Sequence, residues 1–186
     1  NQRFEVAKPL RISRFTITDY KPRIRPLNVP EIMVYSSNIG SARIAEAIGA
    51  ETQRAYMDKL GLLDRLPLQL PETSKPLSPK TWHRTTTATV SYGHGISISM
   101  VHLASAIAAA AGTGQWIAPT LIKPKTGEAP MATRVFSDST TRAVRSMMRL
   151  VVSHVDGSGN FAEAPGYMVG GKTGTAEKIK IGGYNI

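Results

Sequence analysis

Proline placement limits this chain more than any other feature. Pro9, Pro22, Pro26 and Pro30 crowd the first 30 residues, and Pro67, Pro71, Pro76 and Pro79 recur in residues 67–82. A proline has no amide proton for a helix interior, and its ring clashes with the preceding turn, so neither stretch holds a long helix. Residues 6–17 leave room for short extended pieces, and residues 67–82 read as a long loop, a length class that often carries function. Helical signals lie between and after these stretches. One starts at Glu31 and takes the apolar stripe Ile44, Ala45 and Ile48 to Gly49. A second runs from Glu51 to Leu60 and stops at Gly61, which suits a left-handed cap.

Ser99 predicts the N-cap of a helix to about Ala111 that is apolar almost all round, hence buried inside a domain. Ser137 or Asp138 caps an amphipathic helix with Val144, Met147, Met148, Val151 and Val152 inward, the methionines serving as core filler. Trp116 to Lys123 suits a strand interrupted by Pro119. Tyr167 to Ile181 reads as a strand after the Gly-rich loop Asp156 to Gly159. Helices and strands mix without a regular βαβ alternation, which favours an α+β fold.

A chain of 186 residues with 41% hydrophobic and 19% charged residues can bury a core. The absence of cysteine excludes disulfides and cysteine-ligated zinc. His83, His94, His102 and His154 have no metal-ligand spacing, so no metal or cofactor is expected and none of the four is assigned to catalysis. The formal charge is +10, and half of it lies in residues 1–25, where seven Lys/Arg face Glu5 and Asp19. Such a balance favours polyanions or anionic surfaces. With aromatics at 6% there is no base-stacking platform, and nucleic acid is not the expected partner. The most apolar window, Met100 to Ala111, holds about a dozen residues, where a membrane span needs roughly 20. No signal peptide is visible, so any anchor is expected in a segment outside this chain.

Two short segments carry chemistry. Gly170-Gly171-Lys172-Thr173-Gly174-Thr175 combines side-chain-free positions, where a substrate can approach the backbone, with one cation and two hydroxyls. Lys172 can hold a carboxylate or lower a neighbouring proton affinity, and the Thr175 amide suits a developing oxyanion. Residues 166–173 also satisfy the literal phosphate-loop pattern, a Gly four positions before Gly-Lys-Thr. That pattern needs a buried strand before it and a helix starting at the lysine, and neither is indicated here. The other segment, Ser36-Ser37-Asn38, stands just ahead of a helix, and taken alone it reads as a helix cap.

Together the two segments, Ser36-Ser37-Asn38 and Lys172-Thr173-Gly174, resemble the Ser-Asp-Asn and Lys-Thr-Gly motifs of class A β-lactamases and penicillin-binding proteins. Ser36 and Lys172 stand 136 residues apart, as in class B penicillin-binding proteins. The run Thr89-Val90-Ser91-Tyr92-Gly93-His94-Gly95-Ile96-Ser97, with Asn38-Ile39-Gly40 and Lys59-Leu60-Gly61, is similar to the division-specific branch in Gram-negative bacteria. The resemblance covers nearly the whole chain and is weakest over residues 1–30 and 123–140.

The resemblance implies a transpeptidase fold, an antiparallel sheet with helices, and a serine acyl transfer that cross-links peptidoglycan stem peptides and is blocked by β-lactams. It assigns Ser36 to proton shuttling and Asn38 to holding the substrate amide. Lys172, Thr173, Gly174 and Thr175 receive the terminal carboxylate and oxyanion. It places the parent on the periplasmic face of the bacterial inner membrane. The third family motif, Ser-x-x-Lys, is missing, since no serine in the chain has lysine three positions on. It is expected roughly fifty residues ahead of Ser-x-Asn, and only 35 residues precede Ser36. Residues 1–186 are therefore expected to be an internal piece of one transpeptidase domain, truncated at both ends and inactive alone. An unpaired strand edge at Tyr167 to Ile181 is expected to invite a complementary fragment or self-association. Alternative readings are a β-lactam sensor, a β-lactamase-like domain or, more weakly, a basic nucleic-acid-binding module.

Overall fold

The computed structural model describes residues 2–125, 127–128, 130–174, 178–180 and 183–185. The prolines divide the N-terminal segment as the sequence indicates. It forms β1 (Arg3–Phe4), β2 (Leu10–Ile12), β3 (Phe15–Ile17) and β4 (Leu27–Asn28). β1 pairs antiparallel with β4 and β2 with β3, the latter through a tight turn in which Ser13 takes φ 55°. These short strands and the segment after β1 supply Leu10, Ile12, Ile17, Leu27 and Val6 to the main core, where they meet Ile32, Ile39, Ala42 and Ala88. The first 30 residues, weakest in family resemblance, thus provide much of the buried apolar surface that drives folding.

Asn28 ends β4 and starts α1 (Val29–Tyr35) through a reciprocal capping box. Its side chain accepts from the Glu31 amide at 2.9 Å, and Glu31 Oε2 accepts from the Asn28 amide at 2.9 Å. Arg25 and Arg3 close on the same carboxylate at 2.8 and 3.3 Å. The Arg25 hydrogen bond, with the Asn28 amide, holds the Glu31 carboxyl below its ordinary range. Part of the basic N-terminal charge is therefore internally matched.

The helix expected from Glu31 to Gly49 is two helices. α1 ends at Ser36, whose left-handed φ 55°, ψ 47° breaks the ladder, and α2 (Asn38–Ile48) restarts at Ser37. α3 (Ala50–Lys59) then stops before Gly61, which has φ +70°. A Cβ there would lie 2.8 Å from the Trp116 ring, so close approach as well as backbone angle requires glycine. Residues 67–82 are irregular apart from the bridge between Leu77 and Ser97. α4 (Arg84–Val90) packs on α2.

α5 (Met100–Ala111) has the expected Ser99 cap but not the expected all-round burial. His102, Ala106 and Ala109 face inward, while Met100, Leu103 and Ile107 are exposed. The inward face is anchored by a polar contact as well as apolar ones: His102 is buried, with Nδ1 2.7 Å from the Ser99 hydroxyl and Nε2 3.0 Å from the Asp64 carbonyl. The predicted strand from Trp116 shrinks to β5 (Gln115–Ile117), which pairs antiparallel with β6 (Ala132–Arg134). α6 (Asp138–Ser153), capped by Ser137, buries Thr141, Val151 and Val152 and packs on α1 and α5.

Residues 167–174 form no strand, in contrast to the predicted Tyr167–Ile181 element. Among the described residues of this stretch, extended pairing appears in β7 (Lys178–Lys180) with β8 (Gly183–Asn185), and 175–177 and 181 of the expected strand lie outside the described residues. Residues 167–174 therefore present no strand edge for a partner. Among the described residues no helix is long and apolar enough to cross a membrane.

Candidate active site

Ser36, Ser37 and Asn38 have different local jobs, and backbone geometry separates them. Ser36 ends α1 in the left-handed region, uncommon for a residue with a side chain. Its amide bonds the Met33 carbonyl at 3.3 Å and the Ser37 amide bonds Ile32 at 3.0 Å, closing the α1 terminus. Ser37 alone does the capping. Its buried hydroxyl accepts from the Gly40 amide at 2.9 Å and donates to Asp19 Oδ2 at 2.6 Å. The other Asp19 oxygen accepts from the Ile39 amide at 2.9 Å. The cap reading is thus right for Ser37, and it leaves the exposed Ser36 hydroxyl free of that duty.

Behind this turn the packing leaves no slack. A Cβ on Gly40 would fall within 2.5–2.8 Å of three Ile32 carbons, so α1 and α2 meet where only glycine fits. Arg23 lies 3.8 Å over the Tyr35 ring and 3.6 Å from Asp156, and the Ser158 amide donates to Val34 at 3.2 Å. These contacts hold the Gly-rich loop 156–159 against α1, next to Ser36.

The Lys172 segment comes from the other side, laid along α6. The Gly171 amide donates to the Met148 carbonyl at 3.1 Å. Arg149 Nη1 donates to the Val169 carbonyl at 2.8 Å while its guanidinium pairs with Glu163 at 2.7 Å. Gly170 is needed for this docking rather than for substrate, since a Cβ there would sit 3.2 Å from the Arg149 amide nitrogen. Gly171 and Gly174 have open space where a Cβ would be, as a substrate-facing backbone requires. No helix begins at Lys172, which removes the phosphate-loop reading on structural grounds.

The two segments meet. Lys172 Nζ donates to Ser36 Oγ at 2.7 Å, to the Thr173 carbonyl at 2.8 Å and to Thr173 Oγ1 at 3.3 Å. An ammonium has three protons, so all are engaged. Thr173 Oγ1 passes its own proton to Ser158 Oγ at 2.9 Å. Over the whole residue Lys172 stays solvent-accessible, yet the atoms crowding its ammonium desolvate it and pull its pKa below the usual lysine value of 10.5. A lysine so placed gives up a proton more readily, and the adjoining hydroxyl can accept or pass one.

Of the sequence-predicted site residues, Ser36, Lys172 and Thr173 are brought together, and Gly174 follows with open backbone. Asn38 is directed elsewhere, its amide nitrogen donating to the Thr18 carbonyl at 3.2 Å. Thr175 lies outside the described residues. No cluster of His, Cys, Asp or Glu among the described residues suits a metal. Sequence reasoning missed Asp19, Ser158 and Arg149. Asp19 carried a weak signal as an acid in a basic stretch, and Ser158 as a hydroxyl between two glycines.

Known proteins share this arrangement of elements. The family model for the penicillin binding protein transpeptidase domain matches residues 1–185. The probable peptidoglycan D,D-transpeptidase FtsI of Caulobacter vibrioides is 39% identical over 176 residues, covering 94% of this chain and 30% of its own length. The penicillin-binding protein PbpB of Mycobacterium tuberculosis is 30% identical, covering 96% of this chain and 29% of its own. Among solved structures, the apo transpeptidase domain of Burkholderia pseudomallei penicillin-binding protein 3 is 36% identical with a TM-score of 0.86, covering 96% of this chain and 54% of that one. Mycobacterium tuberculosis penicillin-binding protein 3 complexed with aztreonam is 29% identical with a TM-score of 0.87, covering 99% and 45%. The chain spans under a third of the two curated relatives and about half of the two solved structures.

Proposed function

The chain belongs to the penicillin-binding protein transpeptidase domain family, and from that premise we propose that it supplies two walls of a serine acyl-transfer pocket in a peptidoglycan D,D-transpeptidase. The observation that carries this is the 2.7 Å contact between Lys172 Nζ and Ser36 Oγ, made by residues 136 apart in sequence. In this reading the nucleophilic serine attacks the penultimate D-Ala carbonyl of a stem peptide, forming an acyl-enzyme and expelling D-Ala. An amine of a second stem peptide then attacks the acyl carbonyl and restores the serine.

Ser36 and Lys172 form the proton path. The ammonium is poised to give a proton through Ser36 to the departing amine, and its lowered pKa favours that transfer. The Thr173 hydroxyl, now on Ser158, is the donor that a substrate carboxylate takes over, drawing also on the Lys172 charge. Asn38 holds the substrate amide after releasing Thr18, and Gly174 with Thr175 offers the backbone approach. The nucleophile comes from residues outside this chain, as do the anchor and the placement on the periplasmic face.

Incubating the isolated chain with penicillin and measuring its intact mass is expected to show no covalent adduct. In a longer protein that carries these residues together with a Ser-x-x-Lys, acylation is expected, and Ser36→Ala or Lys172→Ala should slow it by about 100-fold or more. An adduct on the isolated chain would refute a nucleophile supplied from elsewhere. Unchanged acylation in both variants would refute the proton path. Rapid hydrolysis of the acyl-enzyme would instead favour the β-lactamase-like alternative.

A further inference from the structure

A second polar site lies away from Lys172. A cleft of about 460 Å³ opens between the end of α5, the β5–β6 hairpin and the first half of α6. Its lining includes Arg134, Arg142, Arg145 and Asp138, with Thr113 and Gln115. Three guanidiniums against one carboxylate leave an excess of two positive charges around a shared space. Arg142 and Arg145 stand three apart on α6, a spacing that sets like charges side by side and destabilises a helix unless something neutralises them.

Helix capping explains only part of this cluster. Arg145 Nη1 donates to the Ala111 and Gly112 carbonyls at 2.9 and 2.8 Å, closing the α5 terminus. Arg134 Nη1 donates to the Thr113 and Phe136 carbonyls at 3.0 and 3.2 Å and to Asp138 Oδ1 at 3.0 Å. Among the described residues every hydrogen bond these two arginines make runs through Nη1, which fixes each guanidinium while leaving Nη2 and Nε for a ligand. Arg142 has no hydrogen bond or ion pair among the described residues and is exposed. The cleft therefore holds two arginines fixed in place and a third without a partner.

We propose that this cleft binds a phosphate monoester dianion. Two negative charges match the excess, and planar guanidiniums offer paired N–H donors spaced for phosphate oxygens. The cleft volume leaves room for an organic group beyond the phosphate. A soluble phosphate ester and a phosphomonoester lipid headgroup share this chemistry.

The test titrates the 186-residue chain with inorganic phosphate at constant ionic strength and follows the arginine Nε–H resonances by NMR. Arg134, Arg142 and Arg145 should shift together along one saturable curve. Arg142→Gln breaks no hydrogen bond or ion pair among the described residues and should weaken binding by about fivefold or more. Arg54→Gln removes the same charge from the exposed side of α3 and should change it less than about twofold. Equal weakening by both variants, or shifts that never saturate, would overturn the site in favour of diffuse attraction. Tighter binding of a single-stranded oligonucleotide at the same resonances would also overturn it, because its phosphodiesters are monoanions. Glycerol 3-phosphate and phosphatidylcholine vesicles containing phosphatidic acid then separate the sources: stronger binding to the soluble ester assigns a free ligand, and stronger retention on vesicles assigns a membrane headgroup.

Discussion

The Ser36 wall and the Lys172 wall meet at 2.7 Å but are built on opposite principles. The first is overdetermined. Ser36 sits between two helices, with a capping serine, a buried aspartate and a glycine contact fixing the turn around it. The second is a strip of irregular backbone held on α6 through the Gly171 amide and the Val169 carbonyl. The difference teaches where adaptability sits in this pocket. Ser36 supplies a fixed reference, and the Lys172 strip is the part able to shift when a carboxylate replaces its present hydrogen bonds.

Asp19→Ala should break this contrast most severely. It strands the Ser37 hydroxyl and the Ile39 amide in a buried place, costing about 3 kcal/mol, which urea unfolding would register. A loss under about 1 kcal/mol would mean that the first wall is no more constrained than the second. A paired glycine comparison comes next. Gly40→Ala drives a methyl into Ile32, and after the gain in helix propensity it should cost about 1 kcal/mol. Gly171→Ala enters open space and should change stability by less than about 0.5 kcal/mol. Equal costs would erase the distinction.

The smallest effect concerns pH. Desolvation lowers the Lys172 pKa in the folded state below the 10.5 of a free lysine. Between those two values the unfolded chain binds more protons, so stability from this residue rises with pH there. The cost is fully present below the folded pKa. Denaturation across the alkaline range should show this rise in the native chain relative to Lys172→Met, and parallel curves would show that the ammonium is not desolvated.

What the sequence revealed was mostly local chemistry. The Ser99 and Ser137 caps and the Gly61 stop depend on neighbouring residues, and they appear where expected. The pairing of Ser-x-Asn with Lys-Thr-Gly was legible because two motifs at a meaningful spacing reinforce each other. Reading residues 167–174 as a strand failed because the backbone from Val169 to Gly171 docks on a helix, a partner that periodicity does not reveal. The exposed side of α5 escaped for a related reason: hydrophobicity says that a helix seeks burial, not which face this chain covers. Asp19 was hidden because its role exists only once β3 ends beside the start of α2.

The hydrogen bonds that Ser37, Asn38 and Ile39 donate to Asp19 and Thr18 also bear on transplantation. Grafting only the three residues Ser36, Ser37 and Asn38 onto a foreign helix junction would carry the side chains without what aims them. The smallest portable unit runs from the end of β3 to Gly40, because the instructions for the motif's shape are written just past the end of a strand, well before the motif begins.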